Sequence, residues 1–242
     1  MTAVIPNSQP TQVIYPSEDG EPLAETYDHL YAILTTLEVL KQHLQGRRAT
    51  VLADQFLYYA QGFPKLRVAP DVMVIFDVEP GGRDNYKIWE EGQAPKVIFE
   101  MTSKSTRNQD LQGKKELYEG LEVQEYWLFD PRGEWIEEQL RGYRLGENGY
   151  EPIAENCSEV LGLRLEVEGK LIGFYRQEDG EKLLVPQELA DALGEETQLR
   201  QEAQEQLEAE RQRAETERQR AEELEATIAR YREQFGELPE AE

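Results

Sequence analysis

The 242-residue chain has one cysteine, Cys157, and two histidines, His29 and His43. A single cysteine excludes an intrachain disulfide, and nothing points to an oxidising compartment. Neither histidine lies near the hydroxyl-rich stretch Ser103, Ser105 and Thr106, so a serine nucleophile with a histidine base is a poor reading. No stretch approaches the roughly 20 apolar residues of a membrane span, and no basic segment followed by a long apolar run opens the chain. A soluble cytoplasmic protein is the default expectation, with no membrane partner. Basic residues are scarce as well: 26 against 49 acidic ones, for a net charge of −23. That is the wrong sign for a protein that grips a phosphate backbone, unless a local basic patch overrides the global field.

What is present is concentrated between Ala69 and Thr106. Pro70 and Asp71 precede the apolar run Val72–Phe76, and Pro95 precedes a second run, Val97–Phe99, which is followed by Glu100. Both runs are β-branched and aromatic and read as buried strands. Taken singly, Asp71 is a turn cap and Glu100 a solvated strand end. Taken together, carboxylates on neighbouring strands about 5 Å apart can converge on one hard cation.

Pro6, Pro10, Pro16, Gly20 and Pro22 mark residues 1–22 as an extended arm. Leu30, Ile33, Leu34, Leu37, Leu40 and Leu44 recur at helical spacing, so a helix is expected from about residue 24 to 44, ended by Gly46. Glu25 and His29, four apart, share a face near its start. A further helix is expected over 107–120, where Lys104, Arg107, Lys114 and Lys115 form the most basic patch and the place to expect a phosphate. Glu125–Phe129 reads as the next strand. From Trp135 to Val185, glycine-punctuated alternation predicts antiparallel hairpins that add to or cover the sheet.

Five blocks in order resemble the PD-(D/E)xK nuclease superfamily, and within it the Uma-two family of restriction-endonuclease-like proteins. They are Ala24-Glu25-Thr26; Pro70-Asp71; Glu100 to Thr106; Asp110-Leu111 with Lys114 and Tyr118; and Glu125 to Pro131. The likeness covers roughly residues 12–186. It implies an α/β fold with a restriction-endonuclease-like core, a mixed β-sheet flanked by helices. It also implies Mg²⁺ (or Mn²⁺) held by Asp71, Glu100 and the Met101 carbonyl, with Glu25 completing the acidic cluster. The superfamily places lysine two residues after the glutamate, where this chain has Thr102. Lys104 and Lys114 are the two substitutes, since a long flexible stem lets an ammonium reach one point from a neighbouring element; the family spacing alone favours Lys114.

Residues 187–242 differ in kind. They hold 17 acidic and 7 basic residues, and from Leu189 to Phe235 a four-three spacing recurs. Glu210–Ala214 repeats as Glu217–Ala221. A long helix or coiled coil follows, joining a second copy or another protein, with a lone charge-stabilised helix as the alternative. Three regions are therefore expected: an arm over 1–22, a restriction-endonuclease-like domain over 23–186 and an acidic helical tail over 187–242. The resemblance implies a Mg²⁺-dependent endonuclease hydrolysing DNA phosphodiester bonds. The competing reading is an inactive nuclease fold that assembles through its tail, motivated by the missing lysine and the negative charge.

Overall fold

The computed structural model describes residues 13–18, 20, 26–103 and 113–236. Glu25, Lys104, Arg107, Asp110, Leu111 and most of the N-terminal arm lie outside the described residues. The chain divides into two compact units, Met1–Pro186 and Gln187–Glu242.

The first unit is built on a six-stranded mixed sheet in the order β1-β4-β6-β7-β8-β9. Its strands are β1 (Ala49–Leu52), β4 (Val72–Phe76), β6 (Val97–Met101), β7 (Glu125–Phe129), β8 (Leu140–Gly146) and β9 (Gly149–Pro152). Neighbours run antiparallel except β6 and β7, which are parallel and register Glu100 with Leu128. A parallel pair needs a crossover. Here it contains α3 (Lys115–Gly120), preceded by a π turn at Gly113–Lys114.

Both faces of the central strands are covered, which is why their sequences are continuous apolar runs instead of alternating ones. On one face Val72, Val74, Val97, Phe99, Met101, Trp127 and Phe129 share a core with α1 (Tyr27–His43) and with a second sheet. That sheet is the antiparallel β10 (Cys157–Ser158), β11 (Leu163–Glu168), β12 (Leu171–Arg176) and β13 (Lys182–Leu183). On the other face Met73, Ile75, Ile98, Tyr126 and Leu128 pack with Tyr118 of α3 and Tyr86. The hairpins expected after Trp135 thus do both things: β8 and β9 extend the main sheet, and β10–β13 cover it. The small sheet of β2 (Leu57–Tyr58), β3 (Arg67–Val68) and β5 (Tyr86–Lys87) leads into the four-residue α2 (Ile88–Glu91). Tyr15–Ser17 of the arm lies against it: Tyr58 donates to the Pro16 carbonyl at 2.6 Å, and Trp89 packs on the Tyr15 ring.

α1 starts where Thr26 caps it, accepting from the His29 amide at 3.4 Å. Its inward face differs from the expected leucine stripe. Ala32, Ile33, Thr36, Val39 and Leu40 are buried, while Leu30 and Leu34 stand substantially exposed. Small residues at 32 and 36 let the helix approach the sheet closely; Leu30 and Leu34 fall to its rim, while Ile33, Leu40 and Leu44 of the expected stripe are buried. Two positions show how tightly the rest is packed. A Cβ at Gly142 would sit 2.5 Å from the ring of Trp127, its partner across β7 and β8, so only glycine fits there. Glu125, fully buried, bolts β7 to the second sheet: it accepts from Ser158 Oγ, the amides of Glu159 (2.9 Å) and Val160, Trp127 Nε1 and Arg144.

The second unit is described by α4, a single helix from Pro186 to Phe235. Proline suits the first helical position, whose amide would lack a partner anyway, and Gly194 does not interrupt the run. Glu196–Arg200 and Arg218–Glu222 pair one turn apart along it. Among the described residues no helix is long and apolar enough to cross a membrane.

Candidate active site

The site sits where β4 begins and β6 ends. Alternation along β6 turns Glu100 to the same face as Ile98, towards Tyr118 and Tyr126, and leaves it 1% exposed. A carboxylate so deep needs partners, and among the described residues Lys114 and Tyr118 converge on it. Lys114, in the turn leading into α3, donates to Oε2 at 2.7 Å, and Tyr118, one helical turn later, donates to Oε1 at 2.6 Å. Their four-residue spacing puts both on the side of α3 that faces the sheet. Burial first, then the Glu100 charge, holds the Tyr118 phenol well above its usual ionisation range, so it remains a donor.

Asp71 directly precedes β4. One carboxylate oxygen accepts the Met101 amide at 2.6 Å, which ties it to the residue after Glu100. The Pro70–Asp71 corner is itself held. Asp54, in a left-handed turn after β1 (φ 51°), donates its amide to the carbonyls of Pro70 (3.1 Å) and Asp71 (3.3 Å). His29 of α1, almost wholly buried, brings Nε2 to 3.8 Å from the same Asp71 oxygen. Beside them a cavity of about 200 Å³ opens, lined by His29, Ile33, Leu37, Ala53, Asp54 and Asp71. It has room for waters and a side chain, and is smaller than a typical small-molecule pocket.

Of the residues expected from sequence, Asp71, Glu100, Met101 and Lys114 are thus brought together; Glu25 and Lys104 lie outside the described residues. The expected basic patch divides. Lys114 goes to Glu100, whereas Lys115 lies over the Tyr143 ring, its Nζ 3.8 Å from the centroid. Successive helical residues point about 100° apart, so the two cannot both face the site. Thr102, in the place of the superfamily lysine, is buried, and its hydroxyl has no hydrogen-bond partner among the described residues. His29 and Asp54 went unassigned in the sequence. The four-residue spacing from Glu25 placed His29 near the helix start, but nothing local connected it to Asp71, 42 positions away. Tyr118 carried a signal, its spacing from Lys114, without a role.

Asp71 and Glu100 offer only hard oxygen donors, the kind Mg²⁺ takes, since that ion commonly uses one or two carboxylates and completes its shell with waters and phosphate oxygens. Among the described residues no group of three or more His, Cys, Asp or Glu side chains converges to hold a metal ion by itself. The two carboxylates fit such a partly protein-bound ion and do not form a closed cage.

No curated protein matches. Among solved structures, the chain is similar to one described as a putative nuclease from Anabaena variabilis ATCC 29413, at 17% identity and a TM-score of 0.41, over 59% of this chain and 77% of that one. The profile of a family described as "Putative restriction endonuclease" matches residues 10–172, two thirds of the sequence, and the chain belongs to that family, Uma-two.

Proposed function

We propose that the protein is a Mg²⁺-dependent (or Mn²⁺-dependent) endonuclease that hydrolyses phosphodiester bonds in DNA, with Asp71, Glu100 and Lys114 at its centre. The observation that supports this best is the meeting of three distant parts of the chain at the end of β6: Lys114 on the Glu100 carboxylate and Asp71 on the amide of the next residue, Met101. Asp71 and Glu100, helped by the Met101 carbonyl, would hold the cation. When bound, it would supply positive charge to the phosphate and lower the pKa of a coordinated water. Glu25 belongs to the same proposal through the family resemblance alone. The chain's own contribution is positioning and charge. Asp54 and the Met101 amide fix Asp71. Lys114 neutralises Glu100 in the free protein and is placed to stabilise charge on the phosphate as the water oxygen bonds to phosphorus and the ester P–O bond breaks. In a chain of net charge −23, the cation and this lysine would provide the local positive potential that the surface as a whole does not.

A cleavage screen tests the reading. Supercoiled plasmid, linear duplex, single-stranded DNA and RNA are incubated with Mg²⁺ or Mn²⁺ and either wild type or Glu100→Ala. Metal-dependent DNA cutting by wild type only is expected. A pure protein that cuts no DNA with either ion refutes the reading, and self-association without Mg²⁺ binding would identify an inactive scaffold instead.

A separate observation favours assembly through the tail. Leu193, Leu207, Leu224, Ile228 and Tyr231 are exposed at coiled-coil spacing along α4. A second copy of the same helix would cover them. Sedimentation of the full chain should give a dimer or higher oligomer, and Leu207→Glu with Leu224→Glu should return it to a monomer; a monomeric wild type excludes the idea.

A further inference from the structure

Glu100 is gripped on both oxygens, and the two grips differ physically. Lys114 is 17% exposed, sits at a π turn and has four rotatable bonds to its ammonium, so it can leave the carboxylate and follow a phosphate. Tyr118 has no such freedom. Its side chain is inaccessible to solvent, and its ring stands edge-on to Tyr126 at 5.2 Å and 67°, within the core of Ile98 and Leu128. Rotating the phenol away from Glu100 would force that close-packed interior apart. Its single proton is donated to Oε1 at 2.6 Å, which fixes the plane of the carboxylate and leaves Oε2, the lysine's oxygen, as the one that can change partner.

We infer that Tyr118 is the positioning residue of the metal site: it orients Glu100 so that one oxygen stays on the phenol while the other passes from Lys114 to the cation. The inference rests on the metal-dependent reading above and assigns the two donors separable effects. Hydrogen-bond partners of a metal-ligating carboxylate set its orientation, and losing one typically weakens metal affinity by about 10–100-fold. Lys114 competes with the cation for Oε2, so its removal should not weaken binding.

Calorimetric titration of the full-length protein with Mn²⁺ alone, without nucleic acid, separates these effects. Tyr118→Phe, which removes only the hydroxyl, should bind Mn²⁺ about 10–100-fold more weakly than wild type. Lys114→Met should bind at least as tightly as wild type while losing cleavage. Glu100→Gln should show no site-specific binding. Should Tyr118→Phe not fold, Tyr118→Gln serves, keeping a donor of looser direction. Its affinity should fall between wild type and Glu100→Gln, and wild-type affinity would overturn the inference. Tyr118→Phe binding within twofold of wild type while Glu100→Gln does not bind overturns the role of Tyr118 and leaves the metal site standing. Wild type that binds no Mn²⁺, or Glu100→Gln that binds like wild type, overturns the metal site and the inference with it. A purely structural tyrosine would lower the melting temperature without changing affinity.

Discussion

Removing Lys114 tests whether the Glu100 carboxylate depends on it in the metal-free protein. The pair is 2.7 Å apart, with the lysine side chain 17% exposed and the glutamate 1%. At an effective dielectric near 20, unit charges about 3 Å apart attract by roughly 5 kcal/mol. Desolvating the ammonium and immobilising its stem offset part of this, leaving about 2–3 kcal/mol, as for other hydrogen bonds to charged groups. Lys114→Met should therefore destabilise the metal-free protein by about 2–3 kcal/mol, because it removes the ammonium that faces a buried carboxylate. Glu100→Gln should cost less, about 1 kcal/mol, because the lysine freed by that change can turn to solvent. The double variant should resemble Glu100→Gln alone, with a coupling energy of about 2–3 kcal/mol. Guanidinium unfolding at pH 7 in EDTA measures all four proteins. A loss below about 0.5 kcal/mol for Lys114→Met, or simple addition in the double variant, would refute the reasoning that Glu100 is held charged by Lys114.

Glu125→Ala should cost at least about 3 kcal/mol in urea unfolding, since it leaves Arg144, Ser158 and two backbone amides without their acceptor; a loss under 1 kcal/mol would contradict the bolt between β7 and the second sheet. Thr102→Val should leave stability unchanged or raise it by up to about 1 kcal/mol, because a buried hydroxyl with no partner among the described residues is replaced by a methyl of similar shape. A clear destabilisation would mean that the hydroxyl has a partner. Burial is the leading cause that raises the phenol pKa of Tyr118, Tyr86 and Tyr150, seconded by Glu100, Glu91 and Glu119 respectively. A raised folded-state pKa gives stability that is complete below the unfolded value, about 10, and is lost as pH rises towards the folded one. The melting temperature should thus fall between pH 9.5 and 11.5, and less steeply in Tyr86→Phe; a flat profile would contradict the burial of these phenols.

The strands around the site were legible because each is a short β-branched or aromatic run bounded by proline or glycine, which is a local signal. The same holds for α4, a helix of 50 residues whose spacing persists from Leu189 to its end. Pairing was not legible. Nothing in Val72–Phe76 says that it lies antiparallel between β1 and β6, because register depends on partners far along the chain. The inward face of α1 was legible only in part, through Ile33, Leu40 and Leu44 and not at Leu30 and Leu34, for a related reason. Leucine spacing marks an apolar stripe, but the shape of the sheet beneath selected the smaller Ala32 and Thr36. Glu100, Asp71 and Lys114 were legible through the family resemblance and not through residue chemistry alone. His29 and Asp54 reach Asp71 only by tertiary packing, so no local pattern could have marked them.

The register of the core also dictates the geometry of the site. β4 and β6 pair Val72 with Phe99 and Met73 with Ile98. One step beyond that ladder the opposing residues are Asp71 and Glu100, on the face of Met73 and Ile98, where β4 begins and β6 ends one residue later. Side chains alternate with a period of two, so slipping β4 by one residue would turn Met73 and Ile75 into the opposite core and carry Asp71 away from Glu100 in the same movement. The apolar pattern that secures folding thereby secures the carboxylate pair as well. This explains how two acids can be held together in a protein already carrying excess negative charge: the cost of their proximity is borne by a sheet whose register cannot change without burying the wrong residues. Lys114 and Tyr118 then supply, from the crossover that the parallel pair of β6 and β7 requires, the donors that make Glu100 tolerable at that depth.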